Sequence, residues 1–254
     1  MHKTVWKPRK EIDFCFKDVK AVTILSCSVC ANLSGTGGAV GIKVLKKILD
    51  KLNVKVVKSE IVLTCCEENI MRQAIARYRK AISQSDALVV LSCAGGVKSA
   101  FLANPAIRVI SPLNSAGSVA ISQSDNAITR SICTSCGACV IGYTGGICPT
   151  AACPAQSKYG PCKNAEDGRT KCFLLPDQDC VWAEIRKRAN LEDLKQLALL
   201  HQELKKAEKA GTLELVTSPP RSQSPALFRI RNILGWFGAR WQSIEKMFAI
   251  YRSY

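Results

Sequence analysis

Histidine is nearly absent: the 254 residues contain only His2 and His201. That excludes Cys2His2 zinc fingers and leaves little scope for a cysteine–histidine nucleophile. No apolar run approaches the roughly 18–20 residues that a membrane-spanning helix needs. The first ten residues lack the apolar stretch of a secretory signal, so a cytoplasmic location is expected. The Walker Lys-Ser/Thr ending and the spaced glycines of a dinucleotide fingerprint are missing, which leaves Ser34–Gly38 as a weak phosphate cradle at most. No solenoid repeat and no carboxylate–histidine constellation for acid–base work can be found.

Cysteine is abundant, with fourteen residues. A chain of this length can build a hydrophobic core without disulfide staples, and thiols in the cytosol stay reduced. Short cysteine spacings then point to metal or cluster ligands. The net charge is +16, from 36 basic and 20 acidic residues, which favours an acidic partner: nucleic acid, an anionic membrane surface or an acidic protein.

Residues 1–125 read as an α/β domain. β-branched runs at Val22–Leu25, Val54–Val57 extending to Ile61–Leu63, Leu88–Leu91 and Ile107–Ile110 alternate with amphipathic stretches at Gly38–Leu52 and Glu67–Ile82. A short helix is expected after Gly95-Gly96. This alternation predicts a small parallel sheet, flavodoxin-like or Rossmann-like, with helices on both faces. Residues 126–185 form an irregular cysteine-rich domain: Cys133 to Cys180 holds eight cysteines, six glycines and four prolines without periodicity. A helical segment follows at 186–216, with Asn190 as N-cap of Leu191–Ala210 and Gly211 closing the helix. Residues 217–225 make a linker.

In the first domain the cysteines follow the strands: Cys27 and Cys30 after the first, Cys65 and Cys66 after the second, Cys93 after the third. Loops after parallel strands emerge at one edge of the sheet, where such folds bind ligands. Cys27, Cys30, Cys93 and one of the adjacent pair would complete a tetra-thiolate site, with Cys66 favoured and Cys65 as its competitor. Burial as a small hydrophobe accounts for one such cysteine more readily than for three successive strand ends.

Cys133, Cys136 and Cys139 are spaced like the opening of a ferredoxin-type cluster motif. With Cys148, Cys153, Cys162, Cys172 and Cys180 they supply ligands for two further tetra-thiolate sites, although spacing does not decide which cysteine joins which. Two iron–sulfur clusters are the first expectation, one cluster with one zinc the second, and zinc alone the third.

Cys136-Gly-Ala-Cys139, Gly142-Tyr-Thr-Gly-Gly-Ile-Cys148-Pro149, Cys153, Gly160-Pro-Cys162, Lys171-Cys172 and Asp179-Cys180-Val-Trp182 together resemble one family's signature. It is that of the cysteine-rich methylenetetrahydrofolate reductase C-terminal domain, which in acetogens and their relatives forms the small subunit of the reductase. Cys27-Ser-Val-Cys30 with Gly37-Gly38, and Ser92-Cys93-Ala-Gly-Gly-Val97, also fit, so the resemblance spans about residues 20–190. It implies a non-catalytic subunit with two or three [4Fe-4S] clusters, passing electrons to a flavin-bearing barrel subunit that reduces 5,10-methylenetetrahydrofolate to 5-methyltetrahydrofolate. A further redox subunit is a possible partner. No flavin is expected here, since a (β/α)8 barrel alone needs about 250 residues.

The alternative is a zinc-stabilised, basic nucleic-acid-binding protein. Three oxidised tetra-thiolate cubanes, at roughly −2 each, would offset about six of the positive charges. Aromatics, the platforms for stacked bases, are sparse before residue 226, so no nucleic acid is expected. Residues 226–254 hold seven of the sixteen aromatics, and Ile230, Ile233, Leu234, Phe237, Trp241, Ile244 and Phe248 recur at helical steps beside five cations. That predicts an amphipathic helix which docks a partner subunit or packs on its own domain, with membrane contact less favoured.

Overall fold

The computed structural model describes residues 2–103, 106–118, 133–165 and 169–219. The expected 226–254 helix, most of the 217–225 linker and the start of the 126–185 segment lie outside the described residues. The chain opens with β1 (His2–Trp6) and α1 (Arg9–Cys15), then β2 (Ala21–Cys27), α2 (Cys30–Leu33), α3 (Gly38–Lys51) and β3 (Lys55–Val62). Next come α4 (Glu68–Arg77), α5 (Arg79–Ser83), β4 (Ala87–Leu91), α6 (Ala94–Ala103), β5 (Val109–Ile110) and β6 (Leu113–Ser118). After these are α7 (Pro149–Ala152), α8 (Val181–Arg186) and α9 (Leu191–Lys209).

Four strands form a parallel sheet in the order β3-β2-β4-β5. β2 lies inside it and is apolar along most of its length, as a strand covered on both faces must be. β3 pairs on one side of β2 and β4 on the other. The strand order therefore reverses at β2, and the ends of β2, β3 and β4 share one edge, where the crevice of an open α/β sheet forms.

Two features depart from the expected pattern. β1 pairs antiparallel with β6, with Trp6 opposite Leu113, as a separate two-stranded ribbon. Its burial comes from Thr4, whose hydroxyl meets that of Thr36 at 2.7 Å, and from Trp6. The expected single helix over Glu67–Ile82 is interrupted at Tyr78, which leaves helical dihedrals at φ −101° and ψ 17°. Its ring lies 5.9 Å from Lys58 Nζ and 5.8 Å from the Arg77 guanidinium.

Helix starts follow local chemistry. Glu67 accepts from the backbone N–H groups of Asn69 and Ile70, capping α4, and Asn190 accepts from those of Glu192 and Asp193, capping α9. The amides of the Ser34–Gly38 loop are used internally: Thr36 and Gly37 donate to Ala31 O, and Gly38 donates to Ser26 Oγ at 2.8 Å. That loop is a packed turn, with no amides left over to cradle a phosphate. A second apolar cluster, built on Trp182, Ile185, Leu194 and Leu197, joins the cysteine-rich segment to α8 and α9.

Candidate cluster-binding thiol groups

The edge of the parallel sheet gathers five sulfurs. Cys27 ends β2, Cys30 opens α2, Cys65 and Cys66 follow β3, and Cys93 precedes α6. Two pairs touch. The Cys65 thiol donates to Cys27, and together with the N–H groups of Cys65 and Val29 it draws the Cys27 pKa down to about 5, against the opposing effect of burial. The Cys93 thiol donates to Cys30 and draws it to about 6, again against burial and with help from the His2 backbone. Each donor correspondingly holds its own proton more firmly, Cys65 against Cys27 and Cys93 against Cys30. Cys66 is exposed; partial burial and then the charges of Cys27 and Cys30 raise its pKa. Ser92 Oγ, buried and otherwise unpartnered, faces Cys27. The Gly96 backbone packs so closely that a Cβ there would lie 2.2 Å from Ser92 Oγ and 2.7 Å from Cys65 Cβ.

The eight downstream cysteines divide in two. Cys133, Cys136, Cys139 and Cys148 are electrostatic neighbours. Burial raises Cys139 to about 11, with Cys133 and Cys148 adding to the shift, and burial also raises Cys148, with Cys133 and Cys136 adding to it. This loop is pinned to β6 by the Cys139 N–H donating to Asn114 Oδ1 at 2.8 Å and the Gly137 N–H to Ser115 O at 3.0 Å. Ser135 N–H lies 3.2 Å from Cys133 Sγ, and Lys158 Nζ lies 3.9 Å from Cys136 Sγ.

Cys153, Cys162, Cys172 and Cys180 line one cavity of about 210 Å³, with Trp182 in its wall. An antiparallel bridge between Lys171 and Asp179 brings the last two together: Cys172 N–H donates to Gln178 O, and Cys180 N–H to Thr170 O at 2.7 Å. Spacing left this partition open because the cavity collects cysteines up to 27 positions apart, from Cys153 to Cys180. Among the described residues, no group of three or more His, Cys, Asp or Glu side chains is arranged to hold a metal ion as the chain stands. Cys15 is separate from all three groups; it is buried and takes a hydrogen bond from the Tyr143 hydroxyl at 3.2 Å.

Sequence reasoning missed a buried polar chain beside the second group. Lys7 Nζ pairs with Glu11 and donates to Cys139 O at 2.7 Å. Glu11 Oε1 lies 3.0 Å from His201 Nε2, and His201 Nδ1 lies 2.7 Å from the Tyr159 hydroxyl. Burial works against the Glu11 charge, but Lys7 and then His201 outweigh it and hold its carboxyl down at about 2. Burial also opposes the Lys7 charge, and Glu11, followed by the Cys15 and Cys139 sulfurs, outweighs it. Two signals were present in the sequence: the i,i+4 spacing of Lys7 and Glu11, and His201 on the same stripe of α9 as Leu194, Leu197 and Leu204.

Residues 114–209 match the sequence model of a family described as Methylene-tetrahydrofolate reductase C terminal, which relates this part of the chain to methylenetetrahydrofolate reductases. No curated protein and no solved structure matches the chain. Among the described residues no helix is long and apolar enough to cross a membrane.

Proposed function

We propose that this chain is a cytoplasmic iron–sulfur electron-transfer subunit of a methylenetetrahydrofolate reductase complex, partnered by the flavin-bearing barrel subunit. The observation that carries this reading is the gathering of thirteen of the fourteen cysteines into three groups, one of them lining a single cavity. The donor sets are thiol-only, which suits clusters or zinc and excludes the carboxylate-rich sites of harder ions. A cubane takes one thiolate at each of four irons, so its ligands need not converge on one point.

Cys27, Cys30, Cys93 and Cys66 would hold the first cluster, with Cys65 the alternative fourth ligand. Cys133, Cys136, Cys139 and Cys148 would hold the second, and Cys153, Cys162, Cys172 and Cys180 a third cluster or a zinc. Bound clusters supply one-electron carriers. The chain's own residues hold and tune them. Thiols already drawn toward the thiolate at Cys27 and Cys30 lower the proton cost of ligation. Backbone N–H groups aimed at sulfur, such as that of Ser135, stabilise the more reduced state. Lys7 and Lys158 place positive charge beside the second group, and Trp182 keeps water from the third.

Anaerobic purification with metal analysis and a flavin-reduction assay tests the proposal. A brown protein with several irons per chain is expected, as is reduction of the partner's flavin by an external low-potential donor only when this chain carries its clusters. Reaction of already reduced flavin with methylenetetrahydrofolate should not need the chain. A colourless protein holding only zinc, or full-rate flavin reduction without clusters, overturns the reading.

A further inference from the structure

A cleft of about 570 Å³ lies between the β5 end of the sheet, the Cys139–Cys148 loop and the α8–α9 turn. That volume is in the range of small-molecule sites. Three cations line it, Arg108, Lys187 and Arg188, against one carboxylate, Asp193. Phe101, Ile107 and Tyr143 supply apolar wall. The three cations are exposed, and each has a protein partner. Arg108 donates to Cys15 O at 3.2 Å and to Lys17 O at 3.3 Å, which orients its guanidinium. Lys187 and Arg188 share Glu184, at 2.7 and 3.4 Å. The Arg188 stem lies against Gly145, where φ is +63° and a Cβ would come 2.8 Å from Arg188 Cβ. A smaller recess of about 220 Å³ shares Arg108, Tyr143 and Asp193 with the cleft and adds Lys17 and Asp18; its charges balance, so the positive excess is confined to the main cleft.

We propose that this cleft binds an anionic small molecule with a planar apolar body. Its phosphate or carboxylate head pairs with Arg108, Lys187 and Arg188, and its body lies against Phe101, Ile107 and Tyr143. Planar guanidinium groups match both head groups through paired N–H donors. Tyr143 belongs to the loop between Cys139 and Cys148, so the occupant rests against the segment that carries the second thiol group.

Calorimetric titration of the full chain with AMP, 4-aminobenzoylglutamate, adenosine and inorganic phosphate tests this and separates the two head groups. One of the first two should bind at one per chain, at least about tenfold tighter than either adenosine or phosphate, a difference of about 1.4 kcal/mol. The double variant Lys187→Gln/Arg188→Gln should weaken it about tenfold or more, with circular dichroism and metal content unchanged. Lys46→Gln/Lys47→Gln, on the outer face of α3, should leave binding as it was. Binding of neither anion, binding indifferent to Lys187 and Arg188, or equal weakening by the α3 variant overturns the proposal. Such a failure leaves the electron-transfer reading standing, because metal content is that reading's own measure.

Discussion

Lys7 Nζ donates to the carbonyl oxygen of Cys139 at 2.7 Å, across 132 positions of sequence. A fully buried ammonium thus ties the N-terminal arm to the loop that carries the first downstream thiols. Removing one member of such a buried pair strands the other charge, which costs more than the pair contributes. Lys7→Met should lower unfolding free energy by about 3–5 kcal/mol in denaturant titrations. Lys7→Met/Glu11→Leu should recover part of that loss. Equal losses in the single and double variants would show that the charges are not coupled.

The depressed Glu11 carboxyl makes stability depend on pH. Its folded pKa of about 2 lies below the unfolded value of 4.5, so its contribution is fully present above about pH 4.5 and is lost as pH falls toward 2. Acid unfolding between those values should therefore be steep in the parent and flatter in Glu11→Gln. Parallel curves for the two proteins would exclude Glu11 as the responsible group.

The three thiol groups should empty separately. Cys172→Ala should remove the metal of the 153/162/172/180 group alone, and Cys136→Ala that of the 133/136/139/148 group alone, measured as metal per chain and by electron paramagnetic resonance. At the sheet edge, Cys66→Ala should lose one cluster's iron. Cys65→Ala should keep the iron and shift the potential, because it removes the donor to Cys27. The reverse outcome makes Cys65 the fourth ligand.

Gly96→Ala tests how tightly the sheet edge is packed. The new methyl would meet Ser92 Oγ and Cys65 Cβ at distances that real contacts do not reach, so both must move. Overpacking of this kind typically costs about 1–3 kcal/mol, and here it should also lower iron occupancy of the first group. Unchanged melting temperature and iron content would mean that the edge yields freely.

Much of the architecture is encoded locally. The buried run Ala21–Cys27, the one-faced pattern of Gly38–Lys51 and the Asn190 cap were legible because side-chain period and capping chemistry are short-range properties. That Cys27 and Cys30, Cys65 and Cys66, and Cys93 lie along one edge was legible for a related reason: parallel strands place their ends on one edge whatever the loops do. Other features depend on distant partners. β1 is a strand because β6 lies beside it, and nothing in His2–Trp6 announces that pairing.

The partition of the eight downstream cysteines was decided by the turn that pairs Lys171 with Asp179 and by the anchoring of Cys139 on Asn114. The Lys7–Glu11–His201–Tyr159 chain likewise joins residues up to 194 positions apart, and its first three members stay buried only because the fold closes over them. Residue types and their order determined that this is a thiol-rich α/β protein whose residues 114–209 match the Methylene-tetrahydrofolate reductase C terminal family. Which thiols share a pocket, and which charges lie buried beside them, was decided by long-range packing, because burial and proximity belong to the folded chain.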